Sequence, residues 1–128
     1  MPTTAAGPRE ARVGDLLPLA RVRARRFDAT ALLIPGADDT TRYTDALASR
    51  ADDFSAWDGR VLEGPADGRE THRLLILDRY GQVYATHDST RTDDLPDADA
   101  LEEWFRFLAT ACPECGVIDE PGRYGPTP

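Results

Sequence analysis

Leu74-Leu75-Ile76-Leu77-Asp78-Arg79-Tyr80-Gly81-Gln82-Val83-Tyr84-Ala85-Thr86-His87 is the most legible stretch of the chain. Its first four residues are apolar without alternation, the pattern of an interior strand covered on both faces. Asp78-Arg79-Tyr80-Gly81 supplies turn formers, and Gln82 to His87 returns as an antiparallel partner. A β-hairpin is therefore expected here.

Upstream, Ala29-Thr30-Ala31-Leu32-Leu33-Ile34 is a short apolar run stopped by Pro35-Gly36, which suits a buried strand. Asp38, Asp39 and Thr40 are N-cap candidates, and Tyr43, Leu47, Ala51 and Phe54 recur at helical spacing, predicting one helix as far as Trp57. After Asp58-Gly59, the segment Arg60-Val61-Leu62-Glu63 reads as a second strand, followed by a Gly/Pro/Asp loop from Gly64 to Glu70. Downstream of the hairpin, Leu101, Trp104, Phe105, Leu108 and Ala109 form one helical stripe, with Asp97, Asp99, Glu102 and Glu103 toward the positive end of the helix dipole. Strand, helix, strand, hairpin, helix predicts an α/β domain: about four strands in a mixed sheet with helices on its faces.

The 128 residues are enough for one continuous core and too few for two. The expected domain covers residues 13–116, between an N-terminal arm (1–12) and a C-terminal tail (117–128) whose composition predicts looseness. Hydrophobic residues at 41% and charged residues at 30% exclude a wholly disordered chain. The net charge of −8 argues against nucleic acid or an anionic membrane surface as partner. No apolar run approaches the roughly 18 residues of a membrane span, and Met1 to Ala6 has no signal-peptide pattern, so a cytoplasmic location is expected. All 15 basic residues are Arg, a bias that speaks of the genome or its salt environment more than of function.

Three motifs together resemble the peroxiredoxin-like (redoxin) domains of the thioredoxin-like superfamily. Val13-Gly14-Asp15-Leu16-Leu17-Pro18 is similar to their opening, and Leu75 to Tyr84 resembles their strand-Asp-x-x-Gly-strand hairpin. The terminal helix running into Cys112-Pro113-Glu114-Cys115-Gly116 is similar to a prokaryotic subset of these proteins. The resemblance spans roughly residues 13 to 116 and implies a thioredoxin-like fold. It also implies a nucleophilic cysteine at the end of the first core strand or the start of the next helix, where this chain has Ile34-Pro35-Gly36-Ala37-Asp38-Asp39-Thr40-Thr41-Arg42. The cis-proline implied before the third core strand is likewise replaced, by Glu70-Thr71-His72-Arg73.

Cys112 and Cys115 are the chemically suggestive pair, and three readings apply to them. A Cys-x-x-Cys pair can exchange a disulfide with little backbone movement, although a helix C-terminus and Glu114 both disfavour the thiolate. The pair also resembles a zinc knuckle, which supplies half of a four-ligand site. The remainder would come from a second copy of the chain, in a homodimer, or from His72 and His87. A two-residue turn at Tyr80-Gly81 would set those histidines diagonally on one face of the hairpin. The third reading is structural: small, buried residues where Pro113 stops the helix. The acidic pairs Asp38/Asp39, Asp52/Asp53 and Asp93/Asp94 read as caps and solvated faces, and no phosphate loop or nucleophile elbow occurs. The sequence thus points to a degenerate redoxin-type domain acting as an interaction or accessory module, with zinc as the one cofactor to consider. Thiol-disulfide exchange through Cys112 and Cys115 is the alternative.

Overall fold

The computed structural model describes residues 7–17 and 28–110. Strands β1 (Ala29–Ile34), β2 (Gly59–Glu63), β3 (His72–Leu77) and β4 (Val83–Ser89) form one sheet in the order β2-β1-β3-β4. β1 runs parallel to β2 and antiparallel to β3, and β3 is antiparallel to β4. The sheet is mixed and four-stranded, consistent with a thioredoxin-like α/β fold. Helices α1 (Thr41–Ala48) and α2 (Ala51–Ser55) connect β1 to β2, and α3 (Ala98–Thr110) follows the hairpin after a 3-10 turn at Thr92–Asp94. No described helix is long and apolar enough to cross a membrane.

Side chains alternate across the two central strands, so each face has its own core. Ala29, Ala31 and Leu33 of β1 join Leu74 and Ile76 of β3 beneath the helices, against Leu47, Phe54, Leu101, Trp104, Phe105 and Leu108. Phe54 meets Phe105 edge-on at 5.2 Å, and Trp104 meets Tyr84 and Phe107 at 6.4 and 6.1 Å. The opposite face, with Leu32, Ile34, Leu75, Leu77 and Val83, is covered by Ala11 and Leu17. Residues 7–12 therefore pack where composition alone reads a loose arm: Ala11 is fully buried, and Arg9 grips Asp67 through two bonds of 2.6 and 2.9 Å.

The single helix expected from Tyr43 to Trp57 is two. Leu47 and Phe54 are buried as the stripe expects while Ala51 is exposed, and the backbone breaks at Ser49-Arg50, where the Arg50 N–H bonds the carbonyl of Leu47 three residues back. Arg50 begins α2 and reaches Asp53 and Asp99, both at 2.7 Å, and Glu102 at 2.9 Å, tying the joint to α3.

The hairpin loop is Arg79 to Gly81, one residue longer than the Tyr80-Gly81 turn. Asp78 closes it by donating its N–H to Gln82 O and accepting the Tyr80 and Gln82 N–H groups on its carboxylate. Gly81 sits at φ 85°, where a side chain would strain the turn. A bulge at Tyr84 adds a residue to β4, so Leu77 faces Val83 while Ile76 faces Ala85. The two departures cancel, leaving Leu74 opposite His87 and His72 opposite Ser89, the register a two-residue turn would have set.

Candidate functional site

The carboxyl end of β1 is where the redoxin resemblance implies a nucleophile. Gly36 lies against the chain entering β3: a Cβ there would fall 2.3 Å from Glu70 O and 2.8 Å from the Thr71 carbonyl carbon. This close approach lets the Gly36 N–H donate to His72 Nδ1 at 2.7 Å. His72 is fully buried at the start of β3. A ring nitrogen that accepts carries no proton, so the neutral imidazole holds its proton on Nε2.

His72 and His87 do share one face of the hairpin, diagonally, as their spacing predicts. Both Nε2 atoms are buried without a hydrogen-bond partner. Burial pushes His87 below its ordinary pKa, against a smaller upward pull from Asp88. The donor chemistry fits zinc poorly at His72: Nδ1 is occupied by Gly36 and Nε2 is protonated, so neither lone pair is free for a metal. Among the described residues no group of three or more His, Cys, Asp or Glu side chains is arranged to hold a metal ion.

At the start of α1, Asp39 accepts the Thr41 N–H at 2.9 Å and its hydroxyl at 2.6 Å, bonds that hold the Asp39 carboxyl below the usual range. Asp39 therefore closes a short turn ahead of the helix, whose N-cap position is Thr40. Tyr43 donates to Pro96 O at 2.7 Å, and burial, with the charge of Asp97, raises its pKa strongly. The other acidic pairs also serve local structure: Asp53 binds Arg50, Asp94 accepts from the Ser89 hydroxyl, and Asp93 lies 3.5 Å from Arg91. Cys112 and Cys115 lie outside the described residues.

A groove of about 550 Å³ opens elsewhere, between β2 and the two short helices. Leu47, Phe54 and Val61 form its apolar floor, and Asp28, Asp58 and Glu63 stand among its polar lining. Sequence reasoning missed it. Each lining residue looks ordinary in its own element, and the groove exists because the helix breaks and β2 falls at the sheet edge.

Comparison with protein-family models, with curated proteins and with solved structures finds no match to this chain.

Proposed function

We propose that this protein is a non-catalytic binding module built on a thioredoxin-like α/β frame, working in the cytoplasm on protein partners. One observation carries the reading: the junction after β1 is closed on itself. Gly36 is bonded to a buried His72 and Asp39 to Thr41, while Pro35 to Arg42 contains no thiol. A general base needs a proton within reach, and His87 keeps its Nε2 buried. The acidic surface favours basic partners over nucleic acid. In this reading Cys112 and Cys115 are structural, or bridge zinc between two copies.

Peroxide consumption and insulin reduction test the proposal, measured on the wild type and on Cys112→Ser. Negligible turnover is expected for both. Robust turnover abolished by Cys112→Ser would establish the thiol-disulfide reading instead. Native mass spectrometry of chelator-free protein, with thiol counting, then separates zinc shared by two chains from two slow, reduced thiols.

A further inference from the structure

The two edges of the sheet are treated differently. The start of β4 is covered by the N-terminal segment: Gly14 N–H donates to Val83 O at 2.9 Å, Val83 N–H to Asp15 O at 2.9 Å, and, just before the strand, Leu17 N–H to Gly81 O at 2.8 Å. At β2 no described strand pairs with the outer side. Ala29 N–H donates to Asp58 O and Gly64 N–H to Leu33 O. The even-numbered backbone groups of this segment thus face β1, and those of Val61 and Glu63 face outward. An edge that no described strand covers is an invitation to pair, and natural proteins usually block one unless it is used.

Chemistry and shape indicate the occupant. On the helix side the groove along this edge has an apolar floor at Val61, Leu47 and Phe54, between carboxylates at its two ends. Asp28 and Asp58 stand where β2 begins and Glu63 where it finishes. Among the described residues Arg60 is the one cation in the lining, and it lies 4.0 Å from Asp28, too far for a hydrogen bond. An added strand sends alternate side chains to the groove. The residue over Val61 would be apolar, and those two positions to either side would be basic.

We propose that the outer edge of β2 takes an extended segment of a basic protein partner as a fifth strand, recognised by an apolar residue flanked at two-residue spacing by Arg or Lys. The inference deepens the binding-module reading and rests on it. Main-chain bonds to Val61 and Glu63 supply pairing, and the carboxylates at the groove ends supply selectivity and salt dependence.

The test uses the full chain and an end-blocked peptide, Thr-Arg-Thr-Leu-Thr-Arg-Thr, followed by NMR and calorimetry. Saturable binding should shift the Val61 and Glu63 amides and slow their exchange. The double variant Asp28→Asn/Glu63→Gln should weaken binding about tenfold or more with an unchanged circular dichroism spectrum. Methylating alternate peptide nitrogens should weaken it comparably if main-chain pairing operates. No saturation up to about 1 mM, a scale at which affinity is only about 4 kcal/mol, would overturn the proposal. So would equal binding of the Glu-for-Arg peptide, shifts centred on β4, or a dimer whose own β2 strands occupy the edge. The turnover assays judge the non-catalytic reading independently, so a silent peptide with silent assays removes this site alone.

Discussion

At Gly36 and His72, one hydrogen bond joins the exit of β1 to the entrance of β3, and the missing Cβ makes the bond possible. Gly36→Ala would drive a methyl group into the backbone at Glu70 and Thr71, which cannot rotate away. The strands must part, and a buried imidazole loses its donor. A loss of about 2–5 kcal/mol is expected in urea denaturation. His72→Phe keeps the bulk but orphans the Gly36 N–H, at about 1–3 kcal/mol. A near-zero effect of both would show that the joint is dispensable. His87 is read by pH. With its folded pKa depressed by burial, the stability it contributes is complete above the unfolded value of about 6.5 and is lost as pH falls through the lower folded midpoint. Its ring-proton NMR titration should accordingly fall below that of a free histidine; a midpoint above 6.5 would place the ring in contact with charge rather than buried.

Among the helices, α3 buries the most side chains. Trp104 is only 2% exposed and sits edge-on to Tyr84 and Phe107, so Trp104→Ala should cost about 3–5 kcal/mol. A change under about 1 kcal/mol would mean the helix docks without it. The stripe from Leu101 to Leu108 was readable because its helical period lies wholly within the local sequence. The break between α1 and α2 was not readable, since Leu47 and Phe54 keep helical spacing across it. What distinguishes the joint is Arg50, whose three carboxylate partners come from α2 and α3. Two of those partners are invisible to any local window. Arg50→Met retains the aliphatic stem and removes the charge; it should lower the melting temperature and speed amide exchange at Phe54, while β3 amides stay protected. Uniform protection in the variant would show that packing alone holds the joint. The same argument explains the candidate site. His72 and His87 could be placed on one face from hairpin pairing, but the Gly36 bond that decides the tautomer of His72 depends on a close approach between distant segments.

Over the described molecule, the sheet has helices on one face and the N-terminal segment on the other, and that segment also bonds the start of β4. Composition hides this role, because Ala11 and Leu17 belong to no periodic run and their partners lie in the central strands. Arg9 on Asp67 and the Arg73 guanidinium on the Ala11 carbonyl fasten the start of the segment to the β2–β3 loop and to β3. The Arg9 bonds lower the Asp67 pKa from 3.8 to about 2. Because the folded value is depressed, the contribution of this pair is complete above the unfolded pKa and is lost as pH falls through about 2. Asp78 titrates in the opposite sense: burial raises its folded pKa, so its contribution is fully present below 3.8 and lost as pH rises through the folded value. Acidification should therefore loosen the N-terminal segment before it weakens the hairpin turn. Amide exchange followed from pH 5 down to about 2, corrected for intrinsic rates, should show protection falling first at Gly14, Leu17 and Val83, while Gly81 and Ile76 hold. Asp67→Asn should produce the same local loss already at neutral pH. If Gly14 and Leu17 remain as protected in Asp67→Asn as in the wild type, the Arg9 pair is ornamental and burial of Ala11 and Leu17 alone seats the segment.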